Sequence, residues 1–420
     1  MMHIYFVSLG CDKNLVDSEK MLALLTKEGY ELTDEPEQAE IIVVNTCAFI
    51  HDAKQESIET LLELAEYKKT GKCKVLIASG CLAERYQDTI LEEMPEIDGV
   101  IGTTAYDDIA VVVKKALGGE HAALTKELDY LPVHLTDRVT SGMSHVGYLK
   151  ISEGCNKNCT YCIIPSMRGH YRSVPMEDLI EEAEKLAEKG IRELILVAQE
   201  TTLYGVDLYH EKKLPELLRR LSEIRDISWI RVLYCYPEEI TVELAQELRE
   251  NPKVCHYLDL PTQHCNDEVL KRMGRRTTKA ELIEKIKMLR KEIPDIALRT
   301  TLISGFPGET NEQHEECIEF VREMKFDRLV FPYSEEEGTK AADYPEQIDM
   351  EIRRRWADEI MEAQQEVIFA QNETLVGKTY KAIVDGYLPQ DNVYVARTYR
   401  DTPEIDGCIF FQVPYEIVSG

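Results

Sequence analysis

Val146-Gly147-Tyr148-Leu149-Lys150-Ile151-Ser152-Glu153-Gly154-Cys155-Asn156-Lys157-Asn158-Cys159-Thr160-Tyr161-Cys162 sets an apolar strand pattern directly before three closely spaced cysteines. Thiolates are soft ligands that favour iron–sulfur clusters or zinc. Three cysteines on a four-iron cubane leave one iron open, and an open iron is a position for chemistry rather than an electron relay. Ferredoxin runs that ligate all the irons use four cysteines at other spacings. Zinc sites want paired C-x-x-C units or histidine partners. His170 is the nearest histidine here, and the chain has no second C-x-x-C. An open-site 4Fe–4S cluster on Cys155, Cys159 and Cys162 is expected, with structural zinc as the alternative.

Around this stretch the pattern repeats. Six apolar strand candidates, Val146–Ser152, Glu193–Ala198, Trp229–Cys235, Val254–Leu260, Leu298–Ser304 and Arg328–Tyr333, are each followed by a helical pattern. Repeated βα units close into a full or partial barrel, which carries chemistry at the carboxyl ends of its strands. The cysteines follow the first strand, at that end. A partial (β/α)6 barrel is expected over 140–372, with Glu351 to Ala370 as a helix leading out.

Residues 1–135 read as an α/β domain with a parallel sheet. Three runs rich in Val and Ile end in Gly10-Cys11, Thr46-Cys47 and Gly80-Cys81. Helical patterns at Asp17–Gly29 and Ala53–Tyr67 separate them. Such sheets gather ligands on the rim at the carboxyl ends of the strands. Cys11, Cys47 and Cys81 therefore converge on a second three-cysteine site, the bland alternative being three core cysteines. Cys73, Cys235, Cys255, Cys265, Cys317 and Cys408 read as structural.

The tail, 373–420, reads as a small antiparallel β-barrel. Its strands are expected at Thr379–Val384, Asn392–Ala396 and Ile409–Val413, with turns at Asp385-Gly386 and Asp406-Gly407. Its Lys378, Lys381, Arg397 and Arg400 are outnumbered by seven acidic residues, a poor start for phosphate binding. The whole chain carries a formal charge of −28, which repels free nucleic acid and attracts basic partners. No uncharged run reaches membrane-span length. With no secretory leader, the 12 cysteines read as reduced thiols or metal ligands in a cytoplasmic protein. The acidic run Glu335-Glu336-Glu337 reads as solvated, or as facing a basic substrate.

The run from Glu153-Gly154-Cys155 to Tyr161-Cys162 resembles the CxxxCxxC signature of radical S-adenosylmethionine (SAM) enzymes. Two cysteine triads, an α/β first domain, the barrel and a TRAM-like tail together resemble the methylthiotransferases. Ser8-Leu9-Gly10-Cys11, Asn45-Thr46-Cys47 and Ser79-Gly80-Cys81-Leu82-Ala83-Glu84-Arg85 carry the likeness in the first domain. Ala198-Gln199-Glu200-Thr201-Thr202-Leu203-Tyr204-Gly205, Tyr333-Ser334-Glu335-Glu336-Glu337-Gly338-Thr339 and Arg397-Thr398-Tyr399-Arg400-Asp401 are similar to the branch that modifies ribosomal protein uS12, the RimO-like branch. Asp12, Glu200, Thr262 and Cys265-Asn266 depart from that branch's usual residues, and the tail is expected to be truncated before a final strand.

The resemblance implies two 4Fe–4S clusters and SAM. One SAM methylates a sulfur at the cluster on Cys11, Cys47 and Cys81. A second yields a radical that takes the β-hydrogen of a uS12 aspartate. SAM contacts are expected at Tyr161, Gln199, Arg231, Gln263, Ile303 and Gly305, with Tyr234 also facing the cluster. Expected partners are uS12 or the small ribosomal subunit and a reductant protein such as flavodoxin or ferredoxin. A tRNA adenosine methylthiotransferase shares both triads and is the near alternative. A non-enzymatic iron–sulfur carrier is the alternative of another class.

Overall fold

The computed structural model describes residues 2–132, 137–327 and 330–420. The expected domain edge at Leu135 and the start of the strand expected from Arg328 lie outside them.

In the first domain β1 (His3–Ser8), β2 (Glu31–Leu32), β3 (Ile41–Thr46), β4 (Val75–Gly80), β5 (Gly99–Ile101) and β6 (Ala122–Leu124) form one sheet in the order β2-β1-β3-β4-β5-β6. Every pairing is parallel. β3 and β4 are buried at every position, as continuous Val/Ile runs between two covering layers should be. The two- and three-residue strands lack such runs, which is why the sequence shows only three of the six. The first helix spans Asp12–Lys27, five residues earlier than its apolar pattern suggests. Gly10, at φ +89°, turns the chain, and Cys11 is the extended residue that precedes the helix. This helix buries Lys13, Asn14, Asp17, Ser18, Glu19 and Lys20 as well as its apolar face. A helix that hides charge has partners for it, and here they come from the second domain.

That domain begins with β7 (Val146–Lys150). A short antiparallel ladder of β8 (Ser152–Glu153) and β9 (Arg172–Ser173) frames the cysteine loop. β10 (Glu193–Val197), β11 (Trp229–Val232), β12 (Val254–Asp259) and β13 (Ala297–Arg299) then join β7 in a parallel sheet of order β13-β12-β11-β10-β7. β14 (Leu302–Ser304) pairs in parallel with β15 (Val330–Pro332). The fifth expected strand is thus split at Thr300-Thr301, and a bridge from Gln263 to Leu302 carries the wall across the break. Residues alternate along the strands. Leu149, Leu194, Leu196, Ile230, Val232 and Leu258 pack under the helices. Val146, Ile195, Val197, Trp229 and Tyr257 face the interior.

The third domain is an antiparallel sheet of β16 (Ala382–Leu388), β17 (Val393–Thr398) and β18 (Ile409–Phe411). The turn expected at Asp385-Gly386 is instead a bulge inside β16, and the chain reverses at Asn392, φ +54°. Asp385 is pinned to the barrel: it accepts from Arg397 (2.7 Å) and lies 2.9 Å from the His145 ring. Tertiary charge pairing here overrides the local turn preference. Ile383 enters the barrel's interior cluster, with Tyr399 packed beside it. Arg397 reaches Glu193 Oε2 at 2.8 Å, while Arg231 Nε reaches Glu193 Oε1 at 2.8 Å. Among the described residues no helix is long and apolar enough to cross a membrane.

Glu193 is fully buried between two arginines. Glu193→Leu leaves the buried Arg231 without a carboxylate, while Arg397 keeps only Asp385, and is expected to cost about 3–5 kcal/mol. An earlier urea midpoint, with faster proteolytic release of the third domain, checks this. An unchanged midpoint would contradict it.

Candidate active site

β1, β3 and β4 are neighbours, so Cys11, Cys47 and Cys81 leave the sheet side by side. All three thiols are free; Cys47 and Cys81 are buried, and Cys11 is the exposed member. Burial, the Cys81 thiol and Cys11 together push Cys47 up to about 12. Burial pushes Cys81 up as well, opposed by Arg168. Glycine is needed before two of the three. A Cβ on Gly10 would stand 2.9 Å from Cys47 Cβ, and one on Gly80 would stand 2.2 Å from Asn45 Oδ1. Asn14 staples the loops, donating to Leu9 O (3.1 Å) and Thr46 O (3.0 Å) and accepting from the Cys81 thiol at 3.8 Å.

The second triad lies in the loop after β8. Burial pushes Cys155 up to about 11, and burial with Cys159 raises Cys162. The Tyr236 hydroxyl is 3.9 Å from Cys159 Sγ. Gly154, at φ +77°, lies so close to the His170 carbonyl that a Cβ would stand 2.0 Å from it. The His170 ring pairs with surface Asp129 at 2.9 Å, and no histidine joins either triad among the described residues. Buried thiols raised this far stay protonated unless a soft cation takes the proton's place. Six free thiols in two groups that no imidazole of the described residues joins fit iron–sulfur chemistry better than structural zinc.

Around the second triad the expected SAM contacts divide. Tyr161 packs edge-on to Phe306, centroids 6.5 Å apart, in a cluster that Ile303 joins. Gln199 donates to Glu153 Oε1 at 2.8 Å, and its own buried Oε1 has no partner. Glu200, fully buried, is pushed up to about 7 by burial, and its Oε2 also lacks a hydrogen bond. Two buried oxygens without a hydrogen-bond donor, one of them 3.9 Å from the Lys157 ammonium, suit a ligand that carries an ammonium group. Gln263, at φ +70°, is held by its backbone to Thr301 and Ile303.

Three residues are placed otherwise. The structure does not bring Arg231 to the cysteine loop: its guanidinium binds Glu193, at the start of β10, and the Tyr399 carbonyl (2.7 Å), and stacks on Tyr257. Strand alternation puts it inside the barrel, but the charge partners draw it toward the third domain. Gly305 spends its N–H on Glu309 (2.7 Å), and a Cβ would meet Arg353 at 2.5 Å, so its freedom serves a tight turn. Tyr234 reaches across the seam instead. Its hydroxyl donates to Asp12 at 3.2 Å, and the Lys13 ammonium lies 3.2 Å above its ring.

The seam between the first two domains is built of buried charge. Arg168 donates to Asp17 (2.9 Å), Glu153 (3.2 Å) and Asn14, and its Nη2 is 3.4 Å from Cys81 Sγ. Lys150 binds Glu153 (2.7 Å) and Asp17. Arg138 pairs with Glu19 and with Glu182 (2.6 Å). Of the run Glu335-Glu336-Glu337, Glu335 and Glu337 are exposed as expected, but Glu336 is buried in the same interface. Glu336 is 1% exposed and accepts from Lys54 (2.7 Å) and Arg85 (3.2 Å) of the first domain. Glu337 accepts from Tyr86. Sequence reasoning missed Asn14, Asp17, Lys150, Glu153 and Arg168; the only signal was their place within two to six residues of a cysteine or strand end.

His264, Cys265 and Cys317 form a further buried group whose ligating atoms lie within 4.8 Å of one another. The Asn266 N–H donates to His264 Nδ1 at 3.0 Å, so the neutral ring carries its proton on Nε2, facing Glu309 (3.1 Å) and Cys317 (3.4 Å). The group is closed by its own hydrogen bonds and offers no imidazole lone pair to a metal.

Residues 149–321 match the radical SAM superfamily, 3–102 the uncharacterized protein family UPF0004, and 376–420 the TRAM domain. A ribosomal protein uS12 methylthiotransferase RimO from Lachnoclostridium phytofermentans is 57% identical over 420 residues, 100% of this chain and 96% of that protein. The chain belongs to the RimO family. RimO proteins from Clostridium perfringens and Acetivibrio thermocellus are each 50% identical, over 96% of this chain and 91% of theirs. Among solved structures, the radical SAM methyltransferase TsrM from Kitasatospora setae is similar at a TM-score of 0.57 and 15% identity, over 79% of this chain and 73% of that one. The cobalamin-dependent SAM radical enzyme OxsB is similar at 0.52 and 13% identity, over 91% of this chain and 62% of that one. At such identities the likeness speaks for the fold, and this RimO-family chain shares it.

At pH 8 a thiol titrating at about 12 is thiolate in about one molecule in ten thousand. In the folded metal-free protein Cys47 is therefore expected to resist iodoacetamide at pH 8 while exposed Cys408 reacts. Equal labelling rates, read by peptide mass spectrometry, would contradict the burial of Cys47.

Proposed function

We infer that this chain is a SAM-dependent radical methylthiotransferase that adds a methylthio group to the β-carbon of an aspartate in ribosomal protein uS12. Two free three-cysteine groups on either side of one buried seam carry this reading. Cys155, Cys159 and Cys162 are the proposed ligands of the cluster that engages SAM, and Cys11, Cys47 and Cys81 those of the sulfur-side cluster. When bound, SAM and the two 4Fe–4S clusters supply one-electron cleavage of SAM, hydrogen abstraction and a methylated sulfur. The chemistry suits the substrate, because a β-C–H of aspartate is an unactivated bond that no side-chain base deprotonates at a useful rate.

The protein's own work is positioning and exclusion of water. Gln199 and Glu200 present oxygens without hydrogen-bond donors that are proposed to receive the SAM ammonium, and Lys157 lies 3.9 Å from Glu200 Oε2. Tyr161 and Ile303 supply an apolar wall, and Gln263 a polar edge. Gly305 shapes the turn beside that wall, and Arg231 holds the third domain. The proposed domains are 1–135, 140–372 and 373–420.

The third domain favours a protein substrate over free RNA. Arg397 is committed to Glu193 and Asp385, and Arg400 to Asp327. That leaves Lys378 and Lys381 against a surplus of acid. A basic ribosomal protein suits a chain at −28. A flavodoxin- or ferredoxin-like reductant and a cytoplasmic setting complete the proposal.

Reconstituted protein with SAM, a reductant and uS12 tests it. The wild type is expected to form 5′-deoxyadenosine and methylthiolated uS12, read by mass spectrometry. Cys155→Ala should lose both. Cys81→Ala should keep 5′-deoxyadenosine and lose the methylthio product, with iron falling by about four per chain. Methylthiolated tRNA without methylthiolated uS12 would overturn the substrate, and absence of SAM cleavage would favour a cluster carrier.

A further inference from the structure

We propose that Arg168 is a positioning residue that holds the sulfur-side cluster against the radical-side loop and raises its reduction potential. This rests on the reading that Cys11, Cys47 and Cys81 bind a cluster. Arg168 ends the short helix Ile164–Arg168, which opens two residues after Cys162. It therefore belongs to the loop of the barrel's triad, yet its side chain crosses the seam to Cys81 of the other triad, with Nη2 to Sγ at 3.4 Å. The next residue completes the link: the Gly169 carbonyl accepts from the Cys155 N–H at 3.1 Å. Two consecutive residues thus touch one ligand from each triad.

The guanidinium is fixed on every side. It is 3% exposed and held by Asp17, Glu153 and Asn14. Gly169, at φ +70°, cannot carry a side chain here, because a Cβ would stand 2.5 Å from the Leu128 carbonyl. The Met167 carbonyl accepts from Thr103 of the first domain at 2.7 Å. An N–H donor to a cysteinyl sulfur withdraws charge from a cluster, favours its more negative reduced state and so raises its potential. Arg168 and Lys150 balance Asp17 and Glu153, two cations for two carboxylates. Without Arg168 the surplus beside Cys81 is negative, which adds to the loss of the hydrogen bond. Lysine keeps the charge, but its compact head does not span sulfur and two carboxylates as the planar fork does.

The test is a redox titration followed by EPR on full-length chains. In a Cys155→Ala, Cys159→Ala, Cys162→Ala background only the sulfur-side signal remains. At the potential where that parent is half reduced, Arg168→Gln is expected to lower the reduced-to-oxidised ratio about tenfold, and Arg168→Lys to lower it by less. In the complementary Cys11→Ala, Cys47→Ala, Cys81→Ala background the radical-side ratio should not move. A purely structural arginine would change iron content without shifting the loaded cluster. If Arg168→Gln loads no cluster, Arg168→Lys carries the test. A loaded sulfur-side cluster with an unshifted ratio overturns the inference alone. A parent that binds no iron at Cys11, Cys47 and Cys81 overturns it together with the reading beneath it.

Discussion

Buried charge across the seam between the first domain and the barrel is the constraint on which the site depends. Asp17, Lys150, Glu153 and Arg168 lie almost entirely out of water. Each is tolerable there only because the others are present. Asp17 comes from the first helix, Lys150 and Glu153 from the first barrel strands, and Arg168 from the end of the cysteine loop. Ion pairs of this kind give little net stability, but they punish every misplacement of one domain against the other. That is what two reaction centres sharing one substrate require: a fixed separation rather than a strong interface. The contacts of Tyr234 with Asp12 and Lys13, and of Glu336 with Lys54 and Arg85, extend the same control along the seam.

The other mouth of the barrel is closed by the same means. Glu193 stands between Arg231 and Arg397, and Ile383 completes the interior apolar cluster. With that end plugged by the third domain, the opposite rim, where the cysteine loop lies, is left for chemistry. The third domain therefore docks at the end of the barrel away from the cysteine loop, and Arg397 and Arg400 are used for that docking.

The cysteines and the βα rhythm were legible because both are local. Spacing within the loop from Cys155 to Cys162 and the strand-terminal positions of Cys11, Cys47 and Cys81 need no knowledge of distant partners. The helix starts at Asp12, ahead of its apolar pattern, because its buried face is half polar and periodicity counts only apolar residues. Arg231 reads as a ligand-rim residue because alternation shows which face a residue takes but not toward which end a long side chain runs. Asp385-Gly386 reads as a turn until Arg397 and His145 claim the aspartate. Glu336 looked solvated because Lys54 and Arg85 lie about 250 residues or more away in sequence. In each case the deciding partner is remote, and a single sequence does not show it.

Two cysteine-bound centres that share one substrate must face each other at close range, and EPR of the fully reduced protein reads that range. The expected spectrum is broadened by magnetic interaction between the two clusters and distinct from the sum of spectra from the two single-triad variants. A spectrum equal to that sum would place the centres too far apart to share a substrate and would contradict the close approach.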